Sequence, residues 1–359
     1  MSRSLVATLS TANLLHNVQV IRDLVGAAKI IAMVKANAYG HGLRSVSLRL
    51  QDHIDLFGVA SIDEAIILRN IGITKPIILM QGIFERSELE LAEKYDLDVV
   101  FHTYEQITWL EQTPLAPRIF AWLKVDTGLG RLGFSTEELS DAYDQLTHNK
   151  KTDFYVRILS HFSCAAQKEH PLNQQQIEKF ETIVRAYVTD YSFCNSAAIF
   201  NFKDQHYNYV RPGLALYGVS PLQDVSAQEL NLKPVMTLKS ALCAVRVAHK
   251  GSFVGYGATY ECMQDMLVGI VPCGYADGYP FVVSEGMHVL IKGILCPVIG
   301  KIAMDFLSVD LRGVPDAQVG DAVTLWGEGL PVEDLARHTP YSPYVILSSV
   351  QNRVKFVWI

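Results

Sequence analysis

Long apolar runs are missing from this chain. None approaches the ~20 residues a membrane-spanning helix needs, which excludes a helical membrane protein. Runs of lysine and arginine are missing too, and a formal net charge of -6 leaves no electrostatic footprint for nucleic acid. The six cysteines, Cys164, Cys194, Cys243, Cys262, Cys273 and Cys296, form no CxxC and no metal-type spacing, so neither a disulfide framework nor a metal site is expected. Scattered thiols of this kind fit a reducing cytoplasm. The opening MSRSLVATLS is too short in its apolar part for a signal peptide, and a soluble cytoplasmic protein is expected. Low-complexity segments and solenoid repeats are absent, and no GxGxxG follows the early strands. What the chain does hold is core-forming material. With 49% hydrophobic and 19% charged residues over 359 positions, it can build two domains, or one large barrel with an appendage.

The order of elements narrows this. Leu5–Leu9 reads as a short strand, and Ser10 as the N-cap of a helix whose apolar face is Leu14, Val18, Ile21 and Val25. From Lys29 onward a strand-then-helix unit recurs about eight times. Strands are expected at Ile30–Val34, Leu56–Ala60, Ile77–Met80, Asp98–Phe101, Arg118–Val125, Val156–Phe162, Tyr191–Asn195 and Leu214–Tyr217. Ser61 and Glu64 form a capping box for the helix Ile62–Ile71. Eight such units spell a (β/α)8 TIM barrel, with an open doubly wound sheet as the alternative. Near Leu222–Leu232 the texture changes to alternating runs such as Val235–Val247, Leu267–Pro272, His288–Ile291 and Ala322–Trp326, the signature of antiparallel β structure. The expected fold is therefore α/β: an N-terminal (β/α)8 barrel over residues 1–228, followed by a C-terminal mostly-β domain over 229–359.

Chemistry is expected where barrel strands end, because that face of a barrel carries its site. Lys35 ends the apolar run Ile30–Val34 and opens the polar turn through Asn37, Tyr39, Gly40 and Gly42. An amine at a dry wall is disfavoured as a cation, which frees its nucleophilic form, as a Schiff-base lysine requires. The bland reading is a lysine that ends a strand and reaches water. Lys124, Asp126, Gly128 and Arg131 lie at or beyond the end of the fifth strand, His161 and Ser163 end the sixth, Asn195 and Ser196 the seventh, and Arg211 and Gly213 precede the expected eighth. Ser196-Ala-Ala opening a short helix, with Gly213 nearby, offers bare N–H groups of the kind a phosphate binds; a plain N-cap is the alternative for Ser196.

Taken together, AMVKANAYGHG, KVDTGLGRLGF, SHFSCAA, CNSAA, VRPGLALYG, VGYGATY, PCGYADGY and AMDFLSVD resemble, in order and nearly end to end, the motifs of the alanine racemases, pyridoxal-5'-phosphate enzymes of fold type III. The resemblance implies interconversion of L-alanine and D-alanine, supplying D-alanine for peptidoglycan and the cell wall, by a homodimer whose active sites are shared between subunits. A broad-specificity or serine racemase of the same fold is the nearest rival. A non-catalytic cofactor carrier would lack Tyr256 and the β domain, and a two-domain decarboxylase would bring a cysteine–aspartate pair that is not evident here.

The same resemblance assigns roles. Lys35 would bear the cofactor and act as one acid/base group, with Tyr256 of the other subunit as the opposing one. His161 would hydrogen-bond Arg211 and Tyr256, and Arg211 would meet the pyridine nitrogen. Tyr39, Ser196, Gly213, Leu214 and Tyr344 match phosphate-binding positions. Arg131 and Met304 match contacts to the substrate carboxylate, and Tyr275 a tyrosine that narrows the substrate's way in. Lys124 matches a lysine that is often carbamylated and then pairs with the arginine, here Arg131. The chain also departs from the pattern. PYVILSSVQNRVKFVWI keeps Tyr344 and Arg353 but lacks the acidic residue and the RVPR ending common after that tyrosine, and Lys301 and Ala303 in GKIAMD stand where many relatives have other residues.

Overall fold

The computed structural model describes residues 3–114, 119–152, 155–282 and 285–359. The chain folds as two units. One comprises Leu15–Leu216 and Ser220–Asn231; the other takes the described residues up to Leu14, Tyr217–Val219 and Leu232–Ile359. The first strand, β1 (Val6–Leu9), therefore does not join the barrel, although the sequence reading groups residues 1–228 there. It pairs antiparallel with Met236–Ala241 and parallel with Lys355–Trp358, inside the sheet of the second unit. Its alternating burial, with Ala7 and Leu9 fully covered, fits a strand half-packed on a sheet core.

Eight parallel strands close the barrel: β2 (Lys29–Met33), β3 (Leu56–Val59), β4 (Ile77–Leu79), β5 (Leu97–Phe101), β6 (Ala121–Lys124), β7 (Arg157–Leu159), β8 (Tyr191–Asn195) and β9 (Tyr209–Arg211), with β9 pairing back onto β2. Continuous burial along β3, β4, β5 and β6 is what helix-covered parallel strands show. Three details differ from the sequence reading. The eighth strand is Tyr209–Arg211, and Leu214–Tyr217 forms a 3-10 turn instead: Arg211 ends the strand and the apolar residues after Gly213 pack as a turn. The expected strand Arg118–Val125 begins outside the described residues, and its described part is Ala121–Lys124. Ser61 makes no cap bond; Glu64 carries the function alone, accepting from Ala60 N–H at 2.8 Å and from Ala36 N–H at 2.7 Å.

Pleating sends alternate residues into the barrel. Ile31, Met33, Leu56, Ile78, Val100, Trp122, Leu159 and Tyr209 form its apolar middle. Two residues earlier along the strands lies a polar floor of Lys29, Asp98 and Arg157. Asp98 Oδ2 accepts from Trp122 Nε1 at 2.9 Å and stands 3.8 Å from Arg157. Burial raises this carboxyl from its usual 3.8 to about 6, against the opposing pull of Trp122 and Arg157. A raised native value contributes stability in acid, and that contribution fades as pH climbs from about 4 to about 6. Asp98→Asn keeps an acceptor for Trp122 and does not titrate. Its unfolding midpoint should rise relative to the parent across that window, by an equivalent of about 2–3 kcal/mol at most. Parallel pH profiles for the two proteins would show that Asp98 is not strained.

The second unit contains β10 (Met236–Ala241), β11 (Ala244–Ala248), β12 (Phe253–Val254), β13 (Tyr260–Glu261), β14 (Met266–Val271), β15 (His288–Ile291), β16 (Ile294–Ile299), β17 (Leu307–Asp310), β18 (Ala322–Trp326) and β19 (Lys355–Trp358). Nine strands form one sheet in the order β11-β14-β17-β16-β15-β18-β10-β1-β19, and β12 and β13 make a separate small hairpin. The expected single run Val235–Val247 is two strands, interrupted at Leu242 and Cys243. No helix among the described residues is long and apolar enough to cross a membrane. All six cysteines are free thiols.

Candidate active site

Two residues beyond the apolar middle, the barrel's interior face turns polar and mostly cationic: Lys35 after Met33, His102 after Val100, Lys124 after Trp122, His161 after Leu159 and Arg211 after Tyr209. Lys35 opens an unusual turn. Ala36, Asn37, Ala38 and Tyr39 all take left-handed φ of 52–54°. A non-glycine residue pays roughly 1–2 kcal/mol for that conformation, so the turn must be held. Ala38 N–H donates to Val34 O at 2.8 Å, Leu43 N–H to Asn37 Oδ1 at 2.8 Å, and Ala36 N–H to Glu64. Strain concentrated directly after a strand-end lysine marks a positioned side chain.

The cations shape one another. Lys35 is half-buried, and its amine is lowered first by desolvation and then by Arg131, with Arg211 adding to this and Glu64 opposing it. Lys124 is buried, and desolvation followed by Arg211, Arg131 and Lys35 pushes it down to about 8. Arg211 is buried and pushed down to about 10 by desolvation. Its guanidinium donates to Ser192 Oγ (2.5 Å), to the carbonyls of Ser160 (2.5 Å) and Phe193 (3.2 Å), and to His161 Nδ1 (3.2 Å). Since an arginine only donates, His161 Nδ1 is bare and Nε2 carries the ring hydrogen. Burial and then Arg211, Lys124, Arg131 and Lys35 hold this histidine neutral. Gln176 braces the region, donating to His161 O (3.0 Å) and Thr127 Oγ1 (3.2 Å) while accepting from Ser163 N–H (2.9 Å).

The loop bearing Arg131 is built on Asp126, whose carboxylate accepts the N–H groups of Gly128, Leu129 and Gly130, each at 2.8 Å. Asp126 is thus spent on the backbone. At the seventh strand, Asn195 rather than Ser196 caps the short helix Ser196–Asn201, accepting from Ala198 N–H. Ser196 Oγ accepts from Gly213 N–H at 2.7 Å, which joins it to the start of the turn Leu214–Tyr217. A Cβ on Gly213 would lie 2.3 Å from Tyr39 Oη, so only glycine admits the tyrosine there. Ser196, Gly213, Leu214 and Tyr39 therefore gather at one place.

This polar layer of the barrel fits pyridoxal phosphate. Arg211 has only neutral acceptors, the layer joins Lys35 to Lys124 and Arg211, and the carboxylates that act on these lysines, Glu64 and Asp126, accept backbone N–H groups. The balance calls for an anion, with an amine of lowered pKa beside it.

In the sheet unit, Tyr256 stands at the tip of the β12–β13 hairpin, exposed, between Gly255 (φ 79°) and Gly257 (φ 73°). The segment Gly300–Met304 supports it. A Cβ on Gly255 would meet Lys301 N at 3.2 Å, and one on Gly300 would meet Val254 O at 2.6 Å. The same segment holds the loop of Tyr275, with Tyr275 N–H donating to Ala303 O and Ala276 N–H to Met304 O. Tyr256, Met304 and Tyr275 are thereby brought together around one strip of backbone, and Tyr344 lies in the helix Pro343–Ser348. Sequence reasoning missed Asp277, which is fully buried. It accepts from both Arg3 guanidinium nitrogens at 2.7 Å and stands 3.1 Å from Arg353, anchoring the Tyr275 loop to both ends of the chain. His102 was missed as well, though alternation from Val100 signals it.

Fold and site define a barrel enzyme with a lysine-bearing cationic mouth and a second, sheet-built unit. Comparison with known proteins makes this specific. Residues 9–221 match the family described as alanine racemase, N-terminal domain, and residues 235–358 match alanine racemase, C-terminal domain. The alanine racemase of Legionella pneumophila is 40% identical over 356 residues, covering 99% of this chain and 100% of the relative. That of Coxiella burnetii is 38% identical over 358 residues, covering 98% of each. The crystal structure of the biosynthetic alanine racemase from Pseudomonas aeruginosa superposes with a TM-score of 0.97 at 39% identity, covering 99% of both chains. The Bartonella henselae alanine racemase, determined with covalently bound pyridoxal phosphate, gives 0.90 at 28% identity over 99% of both. The chain belongs to the alanine racemase family, which is pyridoxal-phosphate-dependent.

Proposed function

We propose that this chain interconverts L- and D-alanine by a two-base mechanism, with Lys35 and Tyr256 of the partner subunit serving opposite faces of the α-carbon. Alanine racemase activity, EC 5.1.1.1, is that of the family to which the chain belongs. The observation that carries the residue assignment is the cationic layer centred on Lys35, whose amine is desolvated and surrounded by like charge. Desolvation and neighbouring positive charge both favour the neutral, nucleophilic form of such an amine.

Bound on Lys35, pyridoxal phosphate supplies an electron sink for the charge left at the α-carbon when its proton departs. The chain's own residues do the rest. Ser196, Gly213, Leu214, Tyr39 and Tyr344 would hold its phosphate. Arg211 would meet the pyridine nitrogen. A guanidinium keeps its proton, so it tempers the sink rather than strengthening it. Arg131 and the Met304 N–H of the partner subunit orient the substrate carboxylate, and Tyr275 narrows the approach. His161 presents its Nε2 hydrogen toward Tyr256, and Lys124 as a carbamate pairs with Arg131 and fixes its loop. The working unit is a cytoplasmic homodimer, and its D-alanine supplies peptidoglycan.

Borohydride treatment of the cofactor-loaded protein should bleach its visible absorption and fix the label on the peptide containing Lys35. A label on any other lysine would overturn the assignment.

A further inference from the structure

One member of the polar layer at the barrel mouth has no part in the roles above. His102 directly follows β5 and Lys124 ends β6. Phe101 and Leu123 are register partners, so His102 and Lys124 form the next pair along two hydrogen-bonded strands and share the interior face. The His102 ring is fixed on one side. Nε2 lies 2.9 Å from the Gln81 carbonyl, which only accepts, and 3.1 Å from Gln106 Nε2, which only donates and already serves the Ile83 carbonyl; the shorter contact assigns the ring hydrogen to Nε2, donated to Gln81 O. Gln106 closes the rest of that edge, its Oε1 accepting His102 N–H and its Nε2 donating to Ile83 O, both at 2.9 Å. The opposite nitrogen, Nδ1, is buried and has no hydrogen-bond partner in the protein. A buried nitrogen left bare calls for an explanation, and an absent ligand is one. Burial, together with the charge of Lys124, keeps the ring neutral.

We propose that His102 Nδ1 takes up the proton released when Lys124 adds carbon dioxide, and then holds the resulting carbamate as a hydrogen-bond donor. The inference rests on the carbamylation proposed above for Lys124. The step balances without another reactant. The Nζ lone pair forms the N–C bond, one C=O pair moves onto oxygen, and the proton displaced from Nζ passes to Nδ1. Neutral amine, carbon dioxide and neutral imidazole become carbamate and imidazolium, with net charge unchanged. Electrostatics favour this direction. While Lys124 is cationic it opposes protonation of His102; once Lys124 is an anion, the sign of that interaction reverses. With Lys124 pushed down to about 8, a usable fraction of neutral amine exists near neutrality. The product anion is then flanked by an imidazolium in addition to Arg131, which removes the bare buried nitrogen.

The holoenzyme carries the test, with one variant at each of the two residues for comparison. Adding 13C-bicarbonate should raise a carbamate carbon resonance that Lys124→Met lacks, and the 15N signals of His102 should pass from the neutral to the doubly protonated ring at the same time. His102→Gln can still donate toward Gln81 but cannot accept a proton. At subsaturating bicarbonate it should hold carbamate on the order of tenfold less, the factor carried by one unit of pKa. Carbamate with a His102 ring that stays neutral would overturn the role of His102 and leave the reading of Lys124 standing. Absence of carbamate from the parent protein would overturn both.

Discussion

Tyr256→Phe should lower racemisation of alanine in both directions by on the order of 10²–10⁴-fold, the usual weight of a general acid–base group, while α-proton exchange of D-alanine with deuterated solvent stays measurable. The argument starts from geometry. Tyr256 sits at a hairpin tip whose turn is set by Gly255 and Gly257, and the residue is 72% exposed, so loss of one hydroxyl leaves nothing in the fold unpacked. What is lost is chemistry. Inverting a stereocentre through a planar carbon needs one group to remove the proton and another to return it from the far side. If, as the resemblance to the alanine racemases implies, Lys35 serves D-alanine and Tyr256 L-alanine, the phenylalanine variant can still remove and replace the proton on the lysine face. A phenol ordinarily titrates near ~10 and is a weak base at neutrality, so the hydrogen bond proposed from His161, itself set by Arg211, belongs to the same machinery. Proton NMR of each enantiomer in D2O reads the outcome. Equal loss of exchange for L- and D-alanine would count against one base per face, and retained racemisation would remove Tyr256 from the reaction.

The barrel was legible because its signals are local. Apolar runs of strand length alternate with helical spacing, and each strand pairs with the next one along the chain. Strand β1 was not legible in the same way: LVATL reads as a strand, but its partners Met236–Ala241 and Lys355–Trp358 lie more than two hundred residues away. The eighth strand was misplaced because Leu214–Tyr217 is more apolar than Tyr209–Arg211, and hydrophobicity alone cannot tell a strand from a buried 3-10 turn. Within the site, Lys35, Lys124, His161 and Arg211 were visible as polar residues where strands end. Asp277 was not, since its role lies in ion pairs with Arg3 and Arg353 that no local pattern announces. Gln176 was hidden for the same reason: it reads as one polar position on a helix and acts by clasping Thr127 and the His161 carbonyl.

Mixing two inactive proteins should restore activity. Lys35→Ala removes the amine proposed to carry the cofactor, and Tyr256→Phe the proposed opposing base, so each homodimer should fall at least on the order of 10²-fold below the parent. If each active site takes Lys35 from one subunit and Tyr256 from the other, a heterodimer has one site with both groups intact and one with neither. In a symmetric dimer with free subunit exchange, half the molecules are heterodimers and half their sites are whole, which predicts recovery of about a quarter of parental activity. The motive is the division of the residues themselves: Lys35 lies in the unit Leu15–Leu216, while Tyr256 and Met304 lie in the unit Leu232–Ile359. The hairpin carrying Tyr256 is also among the exposed parts of its unit, where a partner can reach it. Differently tagged chains, co-purified after exchange, establish that heterodimers have formed before activity is measured. Heterodimers without recovered activity would place both groups of each site in a single chain, since every chain in the mixture then carries one defect.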